Sequence, residues 1–257
     1  MSDGRFSKFM THTRFLEIDF FRGLAVIGML IYHFFFILNF FELTQFELQE
    51  GSWLALARFV QLIFLLSVGV SMALVVQKYS ALELPKSFIY KKLFRHAFVI
   101  FICALIVSGV TWIAAPTEFV RFGILHFIAV SIVLLSSMAF YPRFAFLFGI
   151  LVILLTPFAQ FLSDNPFLYP FGNTSFPALD YFPLFPWMNL VAFGIALGHY
   201  AFQRYERRFL YFLPESRVIH SVAWLGRRSL AFYMLHIPFL FGIIWWTKYI
   251  LLKTYAF

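Results

Sequence analysis

"RGLAVIGMLIYH", residues 22–33, decides how the rest of the chain is read. An arginine and a histidine bracket ten residues that carry no charge. At about 100° per residue, the eleven steps from Arg22 to His33 make three turns plus roughly 20°, so both side chains fall on one helix face, roughly 16 Å apart along the axis. Asp19 stands one turn before Arg22 and extends the same stripe at i, i+3. Ionisable groups are costly in lipid, so inside a membrane span they face the protein interior and mark a functional path. Asp19 and Arg22 also fit a snorkelling pair that anchors the start of the helix. His33 also fits a buried histidine bonded to a neighbouring helix.

The surrounding sequence makes this a membrane helix. Of the 257 residues, 62% are hydrophobic and 12% charged, and the mean hydropathy is +0.84. A soluble domain carries roughly 45–50% apolar and about 25% charged residues. The excess recurs along the chain in blocks of about 20 residues, the length that crosses a bilayer. The fold class expected is all-α, a polytopic integral membrane helical bundle. Seven spans are expected, at about 20–41, 53–76, 93–114, 124–140, 144–162, 183–201 and 229–251, within a single domain over residues 1–257. The first apolar run has no small-residue cleavage site after it, so no cleavable signal peptide is expected. The lone Cys103 permits no intramolecular disulfide.

The net charge of +8 invites a nucleic-acid reading, but the distribution of the cations argues against it. Sixteen of the 20 Lys and Arg fall in the N-terminal tail, at Arg22, in the second-to-third connection, at Arg143 and in the sixth-to-seventh connection. All of these lie on one side of a seven-span topology, as the positive-inside rule requires of cytoplasmic loops. Glu42, Glu47, Glu50, Glu118, Asp164 and Asp180 lie on the other side. The N-terminus is therefore expected in the cytoplasm and the C-terminus outside. "SDNPFLYPFGNTSFPALDYFP", residues 163–183, is expected to be an ordered non-helical outer loop. "PESRVIHSVAWLG", residues 214–226, reads as a short interfacial helix ended by Gly226.

Three further groups place polar chemistry in or beside spans. In "EFVRFGILHFIAVS", residues 118–131, Arg121 stands at the outer mouth of the fourth span and His126 about a turn and a half inside it. In "LDYFPLFPWMN", residues 179–189, Asp180 precedes a helix started by prolines, as an N-cap or as a carboxylate that orients a histidine or binds a polar substrate. In "LGRRSLAFYMLHIP", residues 225–238, Ser229, Tyr233 and His236 follow i, i+4, i+7 and form one polar stripe. Arg58 and Gln61 add a polar face at i, i+3 on the second span. Three membrane-depth histidines with an arginine and an aspartate at compatible depths suggest an active site. No Gly-rich phosphate loop, HExxH or CxxC metal spacing, or GxSxG elbow is present, and no metal is expected.

Four stretches, "FLEIDFFRGLAVIGMLIYH", "RFGILHFIAVS", "DYFPLFPWMNLVAFGIALG" and "LGRRSLAFYMLHIP", resemble in this order the bacterial branch of the heparan-α-glucosaminide N-acetyltransferase catalytic-domain family. The resemblance runs from about Arg14 to Pro238. The Arg-x10-His spacing is also similar to that of the acyltransferase-3 membrane enzymes. The resemblance implies a membrane O- or N-acyltransferase that takes an acyl group, usually acetyl, from cytoplasmic coenzyme A to a sugar or glycan acceptor at or across the membrane. Lysosomal members carry an asparagine where this chain has His33, and a catalytic histidine just before the second span, where this chain reads "ELQEGSW". The chemistry here therefore rests on His33, as the similarity to acyltransferase-3 suggests.

On that reading Arg22 faces the cytoplasmic entrance and His33 is general base or acyl carrier. His126 or Arg121 polarises the thioester carbonyl or the oxyanion, and Asp180 holds a histidine tautomer or a sugar hydroxyl. Arg58, Asp19, Ser229, Tyr233 and His236 line the substrate path. Lys91, Lys92, Arg95, Arg227 and Arg228 are candidates for the phosphates of acetyl-CoA or a longer acyl-CoA. Membrane lipid is the surrounding partner, and a homo-oligomer is compatible with the sequence. Two rivals stay open: a haem- or quinone-binding electron carrier, and a transporter of a polar or lipid-linked sugar.

Overall fold

A computed structural model describes residues 15–159, 166–171, 178–203, 206–207, 214 and 216–255. Eight α-helices follow in order: α1 (Leu16–Phe40), α2 (Gly51–Ala81), α3 (Lys86–Ala114), α4 (Ile124–Leu135), α5 (Pro142–Ala159), α6 (Leu184–Ala201), α7 (Arg217–Arg227) and α8 (Ser229–Tyr255). The described strand structure is one antiparallel pair, β1 (Phe202–Gln203) and β2 (Glu206–Arg207). Each expected span corresponds to one helix. Among the described residues, α1, α2, α3, α6 and α8 are long and apolar enough to cross a bilayer, which makes this a multi-pass helical membrane protein. α4 has 12 residues; at about 1.5 Å per residue it rises only ~18 Å. The fourth apolar run breaks at Ser136 and Ser137 and continues as a 3₁₀ turn, Met138–Phe140.

The chain divides into two compact units, one of residues up to Ile63 and from Phe212 onward, the other Phe64–Tyr211. In the first, α7 crosses α1 with backbone against backbone. A Cβ on Gly23 would collide with the Val222 carbonyl, and one on Gly226 with the Asp19 carbonyl. These contacts step up α7 as they step down α1, so the two helices run counter to each other. Ser216 starts α7, its hydroxyl accepting from Ile219 N–H at 3.3 Å. Gly226 does not end this helix as expected from sequence. It stays helical and its missing side chain admits α1; the chain turns only at Arg228.

α8 then climbs α1 in the same direction. His236 lies beside His33, Phe241 against Phe41 at 4.8 Å, and Lys248 Nζ donates to the Phe41 carbonyl at 2.9 Å. α1 and α8 therefore run parallel. Asn39 closes the connection to α2: its amide donates to Phe46 O at 2.7 Å, while its Oδ1 accepts from Thr44 Oγ1 and Phe46 N.

In the second unit α3 packs on α4, and α5 on α6. The outward face of α3 leaves Phe98 64% and Ile113 82% exposed, a surface suited to lipid. Two α3 hydroxyls secure the chain entering α4: Ser108 Oγ donates to Val120 O, and Thr111 Oγ1 accepts from Val120 N. Residues 179–182 lie along 118–122, with Leu179 N–H on Glu118 O at 2.7 Å and Phe182 N–H on Phe122 O at 2.9 Å. Within the loop expected to be non-helical, Pro166–Phe171 forms a 3₁₀ segment. Residues 160–165 and 172–177 of that stretch lie outside the described residues.

Candidate active site

His33 sits in the C-terminal half of α1. Its Nδ1 is 2.9 Å from the carbonyl of Met29, one turn earlier. A carbonyl only accepts, so Nδ1 carries the proton and Nε2 bears the lone pair of the neutral ring. The ring of His236 lies 4.7 Å away, centroid to centroid, at 71°. His236 has the same tautomer for the same reason: its Nδ1 donates to Tyr233 O at 2.7 Å and lies 3.2 Å from Phe232 O. His236 is 5% exposed and its Nε2 is buried without a hydrogen-bond partner. Its neighbours Leu235 and Phe239 are both 66% exposed, so α8 turns its one buried polar residue of this stretch inward. Tyr32 and Tyr233 complete the surroundings, with ring centroids 5.7 Å from His33 and 5.6 Å from His236.

Toward the N-terminal end of α1, Asp19 is buried, and Arg22 lies between the two residues, Asp19 and Gly23, that Gly226 touches. Arg227 and Arg228 follow Gly226 directly, so the backbone crossing of α7 and α1 brings three arginine positions to one end of this unit. Arg228 stands over the Trp224 ring at 4.3 Å. Gly23 to His33 is ten residues, roughly 15 Å of helix. Arg58 donates to Gln61 Oε1 at 3.1 Å on an exposed face, the i, i+3 pair expected from sequence. Ser229 and Tyr233 are half-buried on the His236 helix.

The remaining candidates belong to the second unit. His126 is 6% exposed, stacked on Phe122 and edge-on to Phe101, with Ser108 Oγ 3.5 Å from Nε2. These are the surroundings of a packed interior histidine. Asp180 does cap a helix, but not the one that follows it in sequence: its Oδ2 accepts from Ile124 N–H at 2.9 Å, at the start of α4. Burial pushes its carboxyl above the usual range, and the Ile124 N–H opposes that shift. Gly123 makes the approach possible, since a Cβ there would strike Asp180 Oδ2. Arg121 stacks on Phe119 at 4.4 Å and reaches the Thr117 carbonyl. Tyr169, which sequence reasoning did not single out, joins this cluster: burial raises its phenol and Arg121 beside it opposes. Lys92 stands over the Tyr79 ring at 5.3 Å. Lys91 and Arg95 flank an open face of α3 with Tyr90, Phe94 and Phe98.

Fold and site together define a multi-pass membrane protein in which a histidine of the first helix, His33, meets a histidine of the last, His236. The family model described as "Heparan-alpha-glucosaminide N-acetyltransferase, catalytic" matches residues 14–238, and the chain belongs to that family. Membership implies a membrane acetyltransferase. No curated protein and no solved structure matches the chain.

Proposed function

We propose that the protein transfers an acyl group, acetyl in the first instance, from acyl-CoA at the cytoplasmic face to a hydroxyl or amine of a sugar or glycan acceptor, in a bacterial inner membrane. The observation that carries this reading is His33 on the first membrane helix, its Nδ1 held by the Met29 carbonyl and its ring beside that of His236. His33 takes the proton from the acceptor as it attacks the thioester carbonyl. The C–S bond breaks as the tetrahedral intermediate collapses, and the proton returns to the leaving thiolate to give free coenzyme A. Arg22, Arg227 and Arg228 hold the coenzyme's phosphates at the entrance, with the pantetheine arm running along α1 toward His33. Asp19 and Tyr233 border that path. Lys91 and Arg95, which flank an open face of the second unit, are the further cations available for phosphate, with Lys92 beside them. His126, Arg121 and Asp180 support the fold of that unit.

The test is binding and consumption of radiolabelled acetyl-CoA by detergent-purified protein, with glucosamine and a membrane lipid extract offered as acceptors. Saturable binding by wild type is expected. His33→Ala should keep binding and lose transfer by about 10²–10⁴-fold. Arg22→Ala should weaken binding. Folded protein that neither binds nor consumes acyl-CoA of any chain length overturns the reading.

A further inference from the structure

Four cations, Lys86, Lys91, Lys92 and Arg95, stand in the first three turns of α3, and residues 84–117 hold no carboxylate to answer them. Two of the four lie on aromatic rings. Lys86 Nζ is 5.4 Å from the Phe140 ring and donates to the Tyr141 hydroxyl at 3.4 Å, while Lys92 stands over Tyr79. Lys91 and Arg95 have no hydrogen-bond or ion-pair partner among the described residues. They share one face of the helix, a turn apart, and border an open groove of about 850 Å³ with Ser87, Tyr90, Phe94 and Phe98. The rim of the groove is fixed by packing. Tyr90 O–H donates to Ser137 Oγ at 3.3 Å, and its ring lies 5.2 Å from Phe140 and stacks on Phe94 at 6.1 Å.

Helix length sets the depth of this groove in the membrane. From Ala97 to Ala114 α3 carries no charge, and these eighteen residues rise about 27 Å, close to the ~30 Å of a hydrocarbon core. Arg95 stands two residues before that run and Lys91 six, about 3 and 9 Å outside the hydrocarbon, at the level of phospholipid phosphates. Phe98, Ile102 and Leu105 continue the same face into the hydrocarbon, and all three are exposed. A ligand that satisfies both ends of this face joins an anionic phosphate to an alkyl chain. We propose that this face of α3 binds an anionic phospholipid, its phosphate between Lys91 and Arg95 and one acyl chain along Phe98, Ile102 and Leu105. Coenzyme A offers phosphates to the same cations, but its pantetheine amides would lie unsatisfied on the apolar face beneath. The site belongs to the second unit and is independent of the acyl-transfer reading.

The test titrates delipidated, full-length protein in non-ionic detergent with phosphatidylglycerol, or with phosphatidylcholine of the same chains, and counts bound lipid by native mass spectrometry. Wild type should bind phosphatidylglycerol at least about tenfold more tightly than phosphatidylcholine. Each cation near an anionic headgroup is worth roughly fivefold, so Lys91→Gln with Arg95→Gln should weaken phosphatidylglycerol about 30-fold and leave phosphatidylcholine within about twofold. Lys86→Gln with Lys92→Gln removes the same charge from the same helix and should cost at most about threefold, because both cations already lie on rings. Circular dichroism checks that each variant keeps its helices. Glycerol phosphate and coenzyme A should not displace the lipid, since neither has an acyl chain for the lower face. Equal affinity of wild type for the two lipids, a result that needs no variant, overturns the proposal. An equal loss in both variant pairs means that net charge alone attracts the lipid, and overturns it too. Displacement by coenzyme A gives Lys91 and Arg95 to the coenzyme, and displacement by glycerol phosphate reduces the site to a phosphate site; either refutes the lipid.

Discussion

Replacing Gly226 by alanine adds one methyl group where α7 meets α1. The new Cβ would collide with the Asp19 carbonyl oxygen and lie 2.7 Å from Gly23 N and 2.8 Å from Asp19 C. Carbon atoms in contact rest about 3.5–4.0 Å apart, so the helices must part by roughly 1 Å. Both neighbours are backbone, and neither can swing aside like a side chain. Overpacking of this kind costs about 1–3 kcal/mol. For a chain of this size each kcal/mol moves the melting point about 2–4 °C, so Gly226→Ala should melt roughly 3–10 °C below wild type. Gly109 is the internal control: it lies within α3, and a Cβ there meets nothing within 4 Å. Alanine at that site restricts the unfolded chain and favours the helix by about 0.5–1 kcal/mol, so Gly109→Ala should melt slightly above wild type. Thermal unfolding of the three proteins in one detergent, followed by circular dichroism, is the assay. A Gly226→Ala protein that melts with or above wild type refutes the close crossing of α7 and α1.

The remaining expectations concern the cap, the topology and the cofactor rival. An acid whose folded pKa is raised stabilises the fold below its unfolded value and loses that contribution as pH rises through the folded value. For Asp180 the loss begins above the ordinary 3.8, so Asp180→Asn, which keeps an oxygen for Ile124 N–H, should gain on wild type as pH rises from about that value. Asp180→Ala loses the cap and should be about 1 kcal/mol less stable than Asp180→Asn at every pH; differential scanning fluorimetry across pH compares the three, and an asparagine variant that melts below wild type at neutral pH contradicts the assignment. Because α8 climbs α1 in parallel, tags at the two chain ends should lie on opposite sides of the membrane. Protease treatment of right-side-out and inverted vesicles reads this, and cleavage of both tags from one side excludes it. The purified protein should show no Soret band; a stoichiometric one would revive the haem-carrier rival.

The helices were legible because an apolar run of bilayer length leaves the backbone no other way to satisfy its hydrogen bonds. The Arg22–His33 stripe was legible for a related reason, since helical periodicity projects a sequence spacing onto a face. The partner of His33 was not, because the stripe that ends in His236 carries no sign of which helix it meets. Gly226 shows how one residue type holds two meanings: a glycine after an apolar run signals a helix end, yet here its value is the absent Cβ under a carbonyl. Of the two readings of Asp180, cap or functional carboxylate, the cap is seen on a helix other than the one local rules assign, because Gly123 opens room for it on α4. The short α4 was expected to run to residue 140, and the serine pair at 136–137 stops it early.

The anchor between Lys248 and the Phe41 carbonyl joins positions 207 residues apart. Two of the partners of α1 within its own unit, α7 and α8, are therefore made long after it. At about 5–20 residues per second, α1 waits in the membrane for roughly 10–40 s before α7 and α8 arrive. During that interval His33 has no second imidazole, and Gly23 presents bare backbone to lipid. A chain stalled before α8 thus inserts its first membrane helices without bringing His236 to His33.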